Sequence, residues 1–281
     1  MSVQSGGLVV TGYASLDHVM HMRGGLAPDR TTLGQRDPDA WPRAGGCPSY
    51  IARAAVAAGQ HAAPIMWLGD DADGQALGAE LEHAGVDTSG IAFIRDAPSP
   101  AALMVYQPDG ACTCLFDPAF PGEETLSDLQ RDTIARADAL CVSVGPPHLL
   151  SEILSLRAGG ARLYWAVKND PACFPENTCA MLAERADIIF CSAAERAMVG
   201  VANGLVVETR GAAGVRLEDR SDVQVLPAET IDVTDTTGAG DTFIGGFIAA
   251  DMSGTSIRAA AQQGICAAAR LLRSRVKDEV P

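Results

Sequence analysis

Short apolar runs alternate with Ala-rich stretches of helical period along most of the chain. Leu8–Gly12 reads as a buried strand, and Cys47–Gly59 as a helix that stops at a glycine. Ala63–Leu68 predicts a strand, Gly74–His83 a helix, Ala139–Val144 a strand and Leu149–Arg157 a helix. Arg162–Val167 and Ile188–Cys191 continue as strands, followed by a helix over Ala193–Val199 and a strand over Leu205–Glu208. Two helices, Ala239–Ala250 and Ser256–Arg273, complete the pattern. This rhythm predicts one α/β domain over residues 1–281, with a doubly wound, mostly parallel sheet and helices on both faces.

Two stretches break the rhythm. Leu16–Pro42 is punctuated by Gly, Pro and Asp, with short extended pieces between them. Leu103–Phe116 alternates around Pro108-Asp109-Gly110, a hairpin signal. Parts of residues 15–42 and 98–118 are therefore expected to form a small β lid. The plainer alternative is a pair of decorated surface loops.

Composition narrows the partners. A net charge of −14 argues against nucleic acid and anionic membrane, which both call for a basic footprint. Residues Met1–Gly7 hold neither a basic segment nor an apolar run, and no apolar run reaches the ~18 residues of a membrane helix, so a cytoplasmic enzyme is expected. The eight cysteines form no C-x-x-C pair and are read as reduced, mostly packing residues. Cys112 and Cys114, two apart, belong on one face of a strand.

The chemistry concentrates in Asp235-Thr236-Thr237-Gly238-Ala239-Gly240-Asp241-Thr242-Phe243, which follows an extended run over Ile231–Val233 and opens a helix. Gly238 and Gly240 let the backbone approach an anion closely. The free N–H groups and the dipole at a helix start complete a phosphate site. A carboxylate at position 241 would repel that phosphate as a ligand, but it suits a group that takes a proton from an attacking hydroxyl. The plain alternative is a capped helix after a Gly-rich turn. No Walker A loop is present, because neither Lys168 nor Lys277 follows a glycine, and no G-x-G-x-x-G follows the first strand.

The segment Asp235–Phe243 resembles the C-terminal signature of the ribokinase family, also called the PfkB carbohydrate kinases. Gly45-Gly46, Leu68-Gly69-Asp70-Asp71 with Gly74, Ala84–Thr88 and Thr209–Gly214 resemble further family segments in order. The resemblance implies a ribokinase-like fold and an ATP- and Mg²⁺-dependent transfer of the γ-phosphoryl group to a hydroxyl of a sugar-like small molecule. It implies Asp241 as base, with Gly238, Ala239 and Gly240 as the anion hole. It also implies Asp17, Gly45 and Gly46 at the acceptor and Thr209 and Gly211 at the nucleotide. Glu195 is implied as a group acting on Mg²⁺ through water. Read from the residues alone, the plain alternatives are a turn or capping role for Asp17 and a surface charge near a helix start for Glu195.

This sequence departs from the family pattern at three places. Tyr50 stands where an acceptor-binding asparagine is usual; it closes the acceptor pocket, stacks on a ring, or is core. Ser192-Ala193-Ala194-Glu195 replaces N-x-x-E, and Trp165–Asp170 replaces D-x-N-x-R, so that Lys168 becomes a candidate phosphate-side cation or an exposed lysine. The C-terminal loop that in many relatives helps hold adenine and a monovalent cation is short or missing. Asp235 and Thr237 offer one side of such a cation site, and only weak dependence on K⁺ is expected. A nucleoside kinase, or a catalytically inactive sugar- or nucleotide-binding regulator, remains an alternative on the same scaffold. A homodimer through the lid is compatible with either.

Overall fold

The computed structural model describes residues 6–120, 122–219, 222–233 and 235–276. Residues 1–5, most of the stretch read for a leader, and Lys277 lie outside them. The strands, in chain order, are β1 (Leu8–Thr11), β2 (Ser15–Met22), β3 (Gly34–Arg36), β4 (Arg43–Gly45), β5 (Ala62–Gly69), β6 (Ile91–Ile94) and β7 (Ala101–Tyr106). They continue as β8 (Cys112–Asp117), β9 (Ala139–Val142), β10 (Arg162–Ala166), β11 (Ile188–Ser192), β12 (Leu205–Thr209), β13 (Val215–Asp219) and β14 (Asp222–Leu226). The helices are α1 (Cys47–Ala57), α2 (Ala72–His83), α3 (Asp128–Ala135), α4 (Leu150–Leu156), α5 (Glu176–Arg185), α6 (Arg196–Val199), α7 (Ala239–Met252) and α8 (Ile257–Arg273).

The large sheet runs β14-β13-β12-β11-β10-β9-β1-β5-β6. From β12 through β6 every pairing is parallel, while β13 and β14 attach as an antiparallel hairpin. Alternate residues of each central strand enter two separate cores, as the two-residue period of a strand requires. Val10, Met66, Cys141 and Tyr164 face the core closed by α1, α7 and α8. Val9, Ile65, Val142 and Trp165 face the core with α3, α4 and α5. Every residue of β5 is buried, which a strand covered on both faces demands.

Local signals set the helix starts. Asp71 accepts from the Gly74 N–H at 2.7 Å to cap α2, and Ser127 with Gln130 makes a full capping box on α3. On α7, a Cβ at Gly245 would lie 2.3 Å from the Ile51 carbonyl oxygen, so glycine there lets α7 lie directly on α1.

A small separate sheet has the order β3-β2-β7-β8, with β4 also paired to β2. Its β7–β8 hairpin turns at Pro108-Asp109-Gly110, with Gly110 at φ 84°. The structure corrects several boundaries. The extended run Ile231–Val233 is not a strand, and the helix expected over Ala193–Val199 shrinks to a turn followed by the single turn of α6. The sequence pattern did not reveal the hairpin β13–β14. Five cysteines are buried, whereas Cys112, Cys114 and Cys266 are exposed, so packing does not account for those three. No helix among the described residues is long and apolar enough to cross a membrane.

Candidate active site

The site lies at the carboxyl ends of the parallel strands, where open α/β sheets leave a crevice. One wall is the turn into α7. Gly238 precedes the helix at φ 75°, a left-handed conformation that favours glycine. A Cβ there would also stand 2.6 Å from the Tyr50 ring. Ala239 bonds back to the Thr236 carbonyl and Thr242 back to Gly238, while the N–H groups of Gly240 and Asp241 have no hydrogen-bond partner among the described residues. Space over Gly240 is open, with no atom from elsewhere in the described chain within 4 Å of a Cβ position. Together these form a cradle of unpaired N–H groups at the start of a long helix.

Asp241 is the third residue of α7 and only 8% exposed. Its Oδ2 lies 3.8 Å from Lys168 Nζ, which projects from the loop after β10. The Lys168 side chain is half-exposed, and Asp241 in first place, then Cys47, favours its charged form against the cost of burial. Cys47, the first residue of α1, lies close enough to Asp241 that burial, together with the Asp241 charge, pushes its thiol up. These groups gather around Asp241 because the glycine pair Gly45-Gly46 turns β4 sharply into α1, with Gly46 at φ 87°.

Asp17 sits on β2 opposite the turn and is 3% exposed. Ser15 Oγ donates to its Oδ1 at 2.5 Å, and the Tyr50 hydroxyl donates to its Oδ2 at 3.4 Å. A Cβ at Gly45 would come within 2.3 Å of the Asp17 carboxyl, so that glycine makes room for the carboxylate. Burial raises the Asp17 pKa; the Ser15 bond and the Arg43 charge oppose the rise, and Asp241 adds to it. Burial and the Asp17 charge together push Tyr50 up to about 12. Tyr50 is itself buried, with its ring on Gly238 and its hydroxyl on Asp17.

The remaining expected residues form an arc along the neighbouring strand ends. Glu195 accepts from the Ser192 N–H at 2.8 Å and the Asn169 N–H at 3.3 Å, and its charge is felt at Lys168. Thr209 pairs in register with Ser192, and its hydroxyl reaches the Cys191 carbonyl at 3.4 Å. Gly211, at φ 55°, begins an exposed turn beyond β12. Asp241, Lys168, Cys47, Asp17, Tyr50 and the two glycine turns thus form one cluster. Glu195 joins it through Lys168, and Thr209 and Gly211 stand further along the edge. Among the described residues no group of three or more His, Cys, Asp or Glu is arranged to hold a metal ion.

Three residues beside the turn, Arg43, Tyr106 and Arg275, escaped the sequence reading, and all three meet at Asp235. Asp235, 5% exposed, receives Arg43 Nη1 on Oδ2 at 2.8 Å and the Tyr106 hydroxyl on Oδ1 at 3.1 Å. Arg275 Nη1 donates to the Asp235 carbonyl at 3.2 Å and the Thr237 carbonyl at 2.6 Å, and lies 3.3 Å from Asp235 Oδ2. Tyr106 also accepts the Thr236 N–H at 3.2 Å. Burial alone would raise the Asp235 carboxyl. The Arg43 bond, the Thr237 N–H and the charges of Arg43 and Arg275 outweigh it and hold the pKa at about 2. A groove of about 1550 Å³ runs beside the cluster, lined among others by Arg43, Tyr50, Asp235, Thr242 and Arg275 but by neither Asp17 nor Asp241.

Residues 8–279 match the pfkB family carbohydrate kinase model, and the chain belongs to that family. It is 28% identical over 235 residues to fructokinase-1 of Oryza sativa subsp. japonica, covering 73% of this chain and 72% of that one. It is 27% identical over 288 residues to the ribokinase of Haemophilus influenzae, covering 93% and 90%. The fold is similar to that of the Cryptococcus neoformans ribokinase solved with ADP, with a TM-score of 0.78 at 22% identity over 92% of this chain and 93% of that one.

Proposed function

We propose that this chain is a cytoplasmic kinase that transfers the γ-phosphoryl group of ATP to a hydroxyl of a sugar or sugar-like acceptor. The observation that carries this reading is the meeting of Asp241 with unpaired N–H groups at the start of α7, under open space and beside Lys168. Asp241 accepts the proton of the attacking hydroxyl. The unpaired N–H groups of Gly240 and Asp241 receive charge that develops on the transferred group, in a site where little reorganisation is required, whereas the Ala239 N–H expected in the anion hole is already taken by the Thr236 carbonyl. Lys168 rests on Asp241 and turns toward the phosphates once an acceptor hydroxyl takes its place. Asp17 and the backbone at Gly45-Gly46 hold acceptor hydroxyls, with Tyr50 fixing the Asp17 carboxylate. Thr209 and Gly211 border the nucleotide.

Since no carboxylates among the described residues form a metal cage, the residues suit an ion carried by the nucleotide phosphates. Mg²⁺ bound there would offset their charge, with Glu195 reaching it through water. The small sheet, which carries Asp17 on β2, serves as the lid. Its outer strand β8 leaves Leu115 and Phe116 exposed, which supports pairing of two copies through this sheet. A stacking role for Tyr50, the motive for a nucleoside acceptor, loses force because the ring is committed to Gly238.

ATP consumption over a panel of sugars and nucleosides tests the reading. Turnover is expected with a sugar-like acceptor. Turnover with nucleosides alone would move the chain to the alternative, and binding without turnover would make it an inactive binding protein.

A further inference from the structure

Two main-chain carbonyls and a carboxylate that converge on one point make a donor set suited to a cation. At the turn before α7 those oxygens belong to Asp235 and Thr237, and the point is filled by Arg275 Nη1. The Arg275 side chain is only 12% exposed. Helix α8 delivers it: Arg275 stands just past the capping residue Ser274 and bonds back through its N–H to the Leu272 carbonyl. Arg43 adds a second guanidinium on the same Asp235 carboxylate. A free monovalent ion at this point would displace a tethered hydrogen-bond donor and meet two positive charges, so the residues present do not fit one.

We propose that Arg275 is a positioning residue that acts as the built-in cation of the anion turn, and that this chain therefore needs no monovalent metal ion for phosphoryl transfer. The inference rests on the kinase reading above. Arg275 ties the carbonyls at both ends of Asp235–Thr237 to one rigid, permanently charged group. Their orientation fixes Gly238 in its left-handed conformation and points the N–H groups of Gly240 and Asp241 into the cradle. Arg43, Arg275 and Asp235 together leave one net positive charge beside the bound anion. A covalently attached cation cannot diffuse away, so the turn keeps its shape when no ligand is bound.

The test begins with the wild-type chain and needs no variant. Phosphoryl transfer measured at matched ionic strength in chlorides of K⁺, Na⁺ and tetramethylammonium should proceed at the same rate. A large, saturable activation by K⁺ overturns the proposal. Arg275→Met should lower kcat by about 10²-fold through misplacement of the cradle, with the acceptor KM little changed. Millimolar guanidinium should restore much of that loss, because Arg275 borders the open groove and a free guanidinium can enter. Arg275→Lys, which keeps a charge but loses the fork, should fall between the two. A methionine variant that is folded and as fast as wild type overturns the proposal. If that variant does not fold, the lysine variant and the wild-type salt series decide. Should the wild type transfer no phosphoryl group to any acceptor, the kinase reading fails first. Affinity for an ATP analogue then tests Arg275 alone: Arg275→Met should weaken it and guanidinium restore it, and unchanged affinity refutes the role.

Discussion

Asp235 and Asp241 stand at the two ends of one short turn, both buried, with opposite surroundings. Asp235 is saturated: two arginines, a tyrosine hydroxyl and a backbone N–H converge on it and hold its pKa near 2. Asp241 has a lysine 3.8 Å away and a neighbouring thiol, and it adjoins N–H groups that nothing in the described residues occupies. A saturated buried carboxylate fixes backbone, whereas one with spare accepting capacity can take up a proton. The first aspartate holds the loop in place so that the second can be left incompletely paired. Incomplete pairing beside an anion cradle is where function is expected to reside.

Substitutions that trade one surrounding against the other test this contrast, and the largest effect belongs to Asp241. Asp241→Asn keeps the shape and removes the proton acceptor, so phosphoryl transfer in a single turnover should fall by roughly 10²–10⁴-fold. Nucleotide affinity should persist or rise slightly, and the melting temperature should hardly move. Asp235→Asn should do the reverse and cost about 3 kcal/mol of stability in denaturant titration, since it leaves two guanidinium groups without their carboxylate. Because Asp235 is depressed from 3.8 to about 2, its contribution is complete above pH 3.8 and fades as the pH falls toward 2. The asparagine variant should lack that acid limb of the stability curve.

A smaller effect attaches to Gly238→Ala, which forces a side chain into a left-handed conformation and against the Tyr50 ring. A loss of about 2 kcal/mol is expected, together with weaker nucleotide binding. The smallest effect has the opposite sign. The Asp17 pKa is raised, so the folded state holds that proton more tightly than the unfolded chain, and stability declines as the pH climbs from 3.8 through the raised value. Asp17→Asn should therefore raise the melting temperature at neutral pH by about 2–4 °C while it weakens acceptor affinity. A variant that melts lower would show that the Ser15 and Tyr50 bonds outweigh the burial.

The large sheet was legible because buried parallel strands are short apolar runs, and most of their helices carry caps or glycine stops in the sequence. The turn into α7 was legible because glycines and an acid at a helix start are local signals. Hairpin β13–β14 was not: Val223 and Val225 leave β14 exposed over most of its length, and Val215 and Leu217 alone mark the buried face of β13. The partners of Asp235 were invisible for another reason. Arg43 lies 192 positions away in the chain, Tyr106 129 and Arg275 40, and nothing near any of them records the meeting. Tyr50 was readable as a residue of the site, but a sequence cannot say which faces of a ring are already covered. The helix expected over Ala193–Val199 failed because Glu195 bonds its carboxylate to nearby backbone N–H groups instead of continuing a helical turn.

The attachment of the small sheet to that same turn has a mechanical consequence. Arg43 opens β4 and Tyr106 ends β7, and both are bonded to the Asp235–Thr237 backbone or carboxylate of the large domain. The sheet is thereby pinned at its root by two struts that a swinging flap would have to snap. The strands at its margins, β3 and β8, carry no buried residue. Any bending over a ligand would therefore fall on the rim, with the base held by these bonds. A load at the rim would be carried down Arg43 and Tyr106 to the backbone of the turn before α7.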